Sequence, residues 1–178
     1  LKENEAPCKV VFIGPCTAKK AEVQKEEVKP YVDVAMTFEE LQALFDSRDI
    51  DLTTLPEGVL DNASYFGRIF ARCGGLADAV REGLKEHGSD FELKPCSCDG
   101  IEACKIALLQ KSKGRLDANF IEGMACEGGC VGGPSSYNDM VSTKKFRDDL
   151  LSRADDRKIR DNIANYHMET FEMHRKEQ

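Results

Sequence analysis

Cys126 and Cys130 stand four residues apart, with Glu127, Gly128 and Gly129 between them and Gly132 and Gly133 close behind. Two thiolates at that spacing can reach one metal. Glycine in a regular element costs roughly 0.5–1 kcal/mol relative to alanine, so four of them in residues 128–133 need a reason. Positive φ angles or a close backbone approach are the usual ones. The pattern is poor for a regular helix and better for a backbone wrapped around a bound group, its N–H groups aimed at negative sulfur. Iron–sulfur clusters are held by thiolates and tuned by such hydrogen bonds. A tight turn with two buried thiols is the competing reading, because C-x3-C alone is not a specific signature.

Cys16 lies in "GPCTAKKAE", residues 14–22. A strand-to-helix turn there places the thiol at a helix N-terminus, with Lys19 and Lys20 one turn on. Both features favour thiolate. Lys19 could donate to a small anionic ligand, or be a solvated surface lysine. Cys96, Cys98 and Cys104 form a second group, C-x-C-x5-C. Cys96 and Cys98 would share one face of a strand, but no fourth metal ligand is evident, and buried thiols are the simpler reading. Cys8 and Cys73 are read as core, and His87, His167 and His174 as surface or packing residues.

These residues need elements to position them. "CKVVFIG" (8–14) and "YVDVAM" (31–36) have the β-branched, apolar character of buried strands. A helix is expected over 17–27. Thr37 and Glu40 form a capping box for a helix to about residue 46, with Phe38, Leu41, Leu44 and Phe45 on one face. Residues 47–72 show no clean period and are expected to be a long loop. A helix over 74–87 carries Leu76, Ala79, Val80 and Leu84 and stops at Gly88. A strand is expected over 90–98. Asp99 then caps a helix with Ile101, Cys104 and Leu108 inward, ending at Gly114. A strand over 116–125 leads into the cysteine–glycine loop. From residue 138 the chain is polar and charged. Apolar stripes of Phe146, Leu150 and Leu151, and of Ile159, Ile163 and Tyr166, predict a helical tail packed by one face. Alternating strands and helices place the chain in the α/β class, as a lobed unit over 1–137 with a helical tail over 138–178.

Bulk composition narrows the function. The chain has 178 residues, 41% hydrophobic and 32% charged, with a net charge of -7 and eight cysteines. The acidic balance argues against nucleic acid. No run approaches the ~18 apolar residues of a membrane span, and no signal peptide is visible. The cysteines fit a reduced, cytoplasmic protein with thiolate ligands better than a disulfide framework. No phosphate loop, nucleophile elbow or H-E-x-x-H helix is present. The first residue is Leu, so the expectation is a piece of a longer parent.

Taken together, two motifs resemble the iron-only ([FeFe]) hydrogenases. "GPCTAKKAE" resembles the family's second active-site signature, M-P-C-x-x-K-x-x-E, and "FIEGMACEGGCVGG" (120–133) its third, E-x-M-A-C-P-G-G-C-x-x-G-G. "YVDVAMTFEELQAL" and "IFARCGGLADAV" resemble the segments between, so the likeness runs over roughly 8–137. It implies a [4Fe–4S] cluster joined to a diiron unit, the H-cluster, which interconverts protons, electrons and H2. Carried over by motif, Cys16, Cys126 and Cys130 are cluster ligands, Cys130 being the bridging thiolate, and Gly128 and Gly129 shape the cofactor loop. Lys19 would donate to a cyanide of the diiron unit, Glu22 would join the polar network, and Met124 would pack against diiron ligands. Ferredoxin or ferredoxin-like clusters would exchange the electrons.

Three departures accompany the likeness. The first signature, T-S-C-C-P-x-W, is absent and is expected in a missing N-terminal part of the same protein. It would supply the fourth cluster ligand, so the chain alone is expected to be inactive, with its cofactor absent or incomplete. Gly14 replaces the usual Met and Glu127 the usual Pro, and "GGPSSY" stands for "GGGQP". The alternatives are an H2-sensing module of low turnover and an iron–sulfur assembly protein related to the hydrogenases.

Overall fold

The structure, a computed structural model, describes residues 8–58, 64–154 and 157–164. Strand β1 (Val11–Ile13) leads through Pro15 into helix α1 (Ala18–Glu22). Strand β2 (Val34–Met36) then leads into helix α2 (Phe38–Asp46). β1 and β2 pair in parallel, Val11 opposite Val34 and Ile13 opposite Met36. The second half holds α3 (Tyr65–Arg68), α4 (Gly75–Glu86), β3 (Pro95–Asp99), α5 (Ile101–Ser112), β4 (Phe120–Met124), α6 (Met140–Ser152) and α7 (Ile159–Ile163). β3 and β4 form the other parallel pair, Pro95 opposite Phe120 and Asp99 opposite Met124. Parallel strands need long crossovers, and α1 and α5 supply them. The α/β class is as expected.

Local signals account for several boundaries. The Thr37 capping box forms: Thr37 Oγ1 accepts from Glu40 N–H, and Glu40 Oε2 accepts from Thr37 N–H at 2.9 Å. Such a cap stabilises by about 1 kcal/mol. α4 ends at Gly88, with φ +65°, and α5 at Gly114, with φ +66°.

Other expectations change. The helix sought over 17–27 closes at Glu22, because of its flank only Val23 is buried. The strand sought from residue 90 begins at Pro95. Before that, Asn119 brackets the chain instead, its Oδ1 accepting from Lys94 N–H and its amide donating to the Glu92 carbonyl. The loop sought over 47–72 contains α3 and two 3-10 turns, Leu52–Thr54 and Ile69–Ala71, and Ile69 is the most deeply buried hydrophobic side chain among the described residues. Ser64, whose hydroxyl accepts from Gly67 N–H, marks the start. On α5, Cys104 and Ala107 face the sheet, while Ile101 and Leu108 stay exposed. In the tail, Phe146 and Leu150 are exposed, and α7 is tied to α4 by Glu86, which accepts from the Ile159 and Arg160 N–H groups. Tyr166, His167 and His174 lie outside the described residues.

Among the described residues the buried apolar set is small: Val23, Ala35, Ile69, Ala77, Ala79, Cys98, Ala107 and Ala118. Most of it lies around β3, β4 and α4, in the half that carries the cysteine–glycine loop.

Candidate metal centre

β4 delivers Met124 and then Cys126 from its C-terminal end, and β1 delivers Cys16 from its own. The two ends meet. Ser135 N–H donates to the Pro15 carbonyl at 3.3 Å. A Cβ added to Gly133 would stand 2.4 Å from that same oxygen, so only glycine lets the loop lie this close to the Cys16 turn. The Cys130 thiol feels both other cysteines. Packing around its sulfur raises it first, negative charge on Cys16 and Cys126 raises it further, and Lys19 opposes them. Cys16, Cys126 and Lys19, from elements more than a hundred residues apart, thus lie within electrostatic range of Cys130, although among the described residues no three metal-competent side chains are drawn together closely enough to hold a metal ion. Cys130 is solvent-accessible, and Cys16 and Cys126 are half-buried.

The glycines act differently from the sequence expectation. Gly128 and Gly129 do take positive φ, 82° and 77°. Yet their N–H groups donate within the protein: Gly128 to Asp99 Oδ1 at 2.7 Å, Gly129 to the Cys126 carbonyl at 3.1 Å and Gly133 to the Cys130 carbonyl at 3.0 Å. These donors do not point at bound sulfur. The close approach that glycine permits is to protein backbone as well. A Cβ on Gly129 would lie 2.6 Å from the Ala71 carbonyl and 2.8 Å from Cys73 N. The loop is thus clamped on two sides, by the turn at Ile69–Cys73 and by Pro15.

Sequence reasoning missed the residues that hold this clamp. Asp99 does not cap α5, whose cap position is Gly100; its carboxylate reaches the loop. Glu122 is 3% exposed and accepts from the N–H groups of Gly74 (3.0 Å), Leu76 (3.3 Å) and Ala77 (3.0 Å), with Ser97 Oγ at 3.4 Å. A carboxylate at a helix N-terminus satisfies orphan donors and the dipole together. The signal available was a lone glutamate inside a strand with a glycine-started helix elsewhere. Cys73, expected in the core, is half-buried at the rim of a cavity of about 540 Å3 lined also by Arg72, Asp99, Glu127, Met140 and Lys144. Burial raises its thiol, and Asp99, Glu122 and Cys104 add to that. Lys19 Nζ donates to Glu22 Oε2 at 2.5 Å, so the two polar residues of the motif are already joined.

The family model described as the iron-only hydrogenase large subunit, C-terminal domain, matches residues 1–134. The chain belongs to that family. It is 27% identical to the NADP-reducing hydrogenase subunit HndD of Solidesulfovibrio fructosivorans, over 92% of this chain and 34% of the relative. It is 26% identical to iron hydrogenase 1 of Clostridium pasteurianum, over 86% and 34%. With the periplasmic [Fe] hydrogenase large subunit of Nitratidesulfovibrio vulgaris it shares 30% identity over 69% and 37%. Hence the chain spans about a third of the length of the curated relatives it matches. In fold it is similar to a variant of [FeFe]-hydrogenase HydA1 from Chlamydomonas reinhardtii, with a TM-score of 0.65 and 21% identity over 92% of this chain and 58% of that one. HydA(deltaEFG), described with stepwise H-cluster assembly, gives 0.64 and 21%, over 92% of this chain and 58% of that one. None of the described helices is long and apolar enough to cross a membrane.

Proposed function

We propose that this chain is the cluster-holding C-terminal part of an iron-only hydrogenase whose full-length parent interconverts protons, electrons and H2. One observation supports the reading: the turn that carries Cys16 and the loop that carries Cys126 and Cys130 lie against each other, with Ser135 N–H donating to the Pro15 carbonyl and Gly133 packed on the same oxygen. The donor set fits an iron–sulfur group, since soft thiolates from several elements are what such clusters need. Cys16, Cys126 and Cys130 would hold it, with Cys130 the thiolate shared with the diiron unit. When bound, the H-cluster supplies the redox equivalents and the site of H–H bond formation and cleavage.

This chain's own residues would position the group. Lys19 supplies a cation over the thiol group, and its ion pair with Glu22 fixes where that cation can point. Met124 packs at the strand end from which Cys126 leaves. Gly128 and Gly129 shape the loop. In this reading residues 1–137 are the hydrogenase unit and the segment from 138 is packed on it. The missing N-terminal part completes the ligand set, ferredoxin-like clusters exchange electrons, and the setting is a reducing cytoplasm.

A second reading is an H2-sensing relative of low turnover, favoured by Gly14. A Cβ there would stand 2.9 Å from the Phe12 ring, so the methionine usual in the family would require that exposed ring to shift. The test is anaerobic iron–sulfur reconstitution of the full chain. Replacing Cys16, Cys126 or Cys130 by serine is expected to lower bound iron severalfold, and Cys8→Ser to leave it unchanged. Equal iron in Cys16→Ser and wild type refutes the reading. In the parent protein, Lys19→Ala is expected to abolish H2 turnover; a parent that binds iron but turns over no H2, with iron content unchanged by Lys19→Ala, points to an assembly protein instead.

A further inference from the structure

Of the five cysteines other than Cys16, Cys126 and Cys130, three lie together. Cys96 and Cys98 are two apart on β3, so the strand period turns both sulfurs to one face, where Sγ and Sγ are 3.9 Å apart. α5 covers that face. Its Cys104 thiol lies 3.9 Å from the Cys98 carbonyl and 3.7 Å from the Met124 carbonyl. β4 makes room at Gly123, where a Cβ would stand 3.0 Å from Cys104 Sγ. Cys96 and Cys98 are the two sulfurs in mutual contact, so pairwise thiol chemistry is what this cluster offers.

We propose that Cys96 and Cys98 are a reversible dithiol–disulfide couple, a two-electron redox site separate from the Cys16, Cys126 and Cys130 group. The oxidant is a small soluble disulfide. Access sets the order: Cys98 is 3% exposed, whereas Cys96 is half-buried. The Cys96 thiolate attacks one sulfur of the small disulfide, forming a mixed disulfide and expelling the other half as a thiolate. Cys98 then gives its proton to solvent, and its sulfur displaces the remaining half, closing the Cys96–Cys98 bond. Two protein thiols are oxidised, and one small disulfide is reduced to two thiols that carry the two protons. Burial, followed by the hydrogen bond to Cys96, pushes the Cys98 thiol up to about 11. So raised, Cys98 is a poor first attacker on a free disulfide, and only contact with the Cys96 sulfur brings it into play.

Strand geometry makes this bond labile. Residues two apart on a strand have Cα atoms about 6.5 Å apart, near the upper limit of about 6.8 Å that a disulfide spans. Closing the bond requires β3 to buckle. β3 pairs only with β4 among the described residues, so its other edge can move. A bond made under strain is readily reduced, as regulatory disulfides are. Asp99 follows Cys98 directly and holds Gly128 N–H in the loop between Cys126 and Cys130. Oxidation on β3 is thereby transmitted to that loop.

The test uses the full chain, reduced and then exposed to oxidised glutathione. Free thiols are blocked with N-ethylmaleimide, and the chain is cleaved before aspartate. Peptide 90–98, DFELKPCSC, then carries both sulfurs and is free of Cys104. It is expected to be unblocked, lighter by two hydrogens and restored by dithiothreitol. Two blocked thiols, a lasting glutathione adduct on Cys96, or a cross-link to Cys104 overturns the proposal. Cys104→Ser is expected to leave the bond forming, while Cys98→Ser halts at the mixed disulfide. The wild-type peptide decides even where a variant fails to fold. Amide exchange at Gly128 is expected to quicken severalfold on oxidation; an unchanged rate with the bond formed overturns the coupling. Neither readout involves iron, so failure here is distinct from failure of the proposed function.

Discussion

Replacing Glu122 by alanine should unlock the clamp from behind. Its two oxygens take three N–H groups at the start of α4, and the residue is almost fully buried. Removing the carboxylate leaves those donors without their partner. Ala77 is 2% exposed, so its N–H cannot regain water, whereas Gly74 and Leu76 are half-buried and regain some. An unsatisfied buried donor costs about 1–3 kcal/mol, and hydrogen bonds to a charged group are worth about 1.5–3 kcal/mol each. Such terms do not add fully, so the net loss for Glu122→Ala is about 3–4 kcal/mol. Glu122→Gln keeps one accepting oxygen and turns a donor toward a donor; its loss is about 1–2 kcal/mol. For a chain of this size the two translate to drops in Tm of about 10 °C and about 4 °C. Circular dichroism during heating and urea titration reads both. The reasoning is refuted if Glu122→Ala costs under about 1 kcal/mol, or if the glutamine variant is as damaged as the alanine one.

Asp99→Ala should raise amide exchange at Gly128 severalfold and leave α5 helicity unchanged; a loss of α5 by circular dichroism would restore Asp99 as the helix cap. Gly133→Ala should strike the Pro15 carbonyl and lower iron uptake severalfold on reconstitution. In contrast, Gly83→Ala, which meets nothing within 4 Å, should stabilise α4 by about 0.5–1 kcal/mol in a thermal melt. Thr37→Ala should cost about 1 kcal/mol in urea titration by opening the α2 capping box. At the start of α6, hydrogen bonds from the Ser142 hydroxyl and backbone hold the Asp139 carboxyl below its usual range. Its folded value is depressed, so its contribution is present above the ordinary aspartate value and fades as pH falls through the depressed one. Acid titration should show α6 fraying there, and Asp139→Asn should remove that step.

The sequence was legible where the cause of a structure is local. The Thr37–Glu40 box, the glycine stops at Gly88 and Gly114, and the approach of the Cys16 turn to the cysteine–glycine loop all follow from residue type and spacing or from the two signatures. What could not be read depends on distant neighbours. Asp99 looked like a cap because it precedes α5, but the loop thirty residues on offers it a better donor. The glycines signalled tight approach without saying to what, and the answer was the backbone of Pro15 and Ala71. Ile101 and Leu108 fit an inward helix face by period, yet the sheet beneath α5 is two strands wide, and Cys104 and Ala107 suffice to cover it.

Cys16 and Cys126 leave the ends of strands that belong to different parallel pairs. Any inorganic group gripped by all three sulfurs is therefore also a staple across the molecule. Its affinity becomes cohesion between the two pairs, growing with the logarithm of its free concentration. A chelator would then loosen the seam between the pairs before either pair itself gives way.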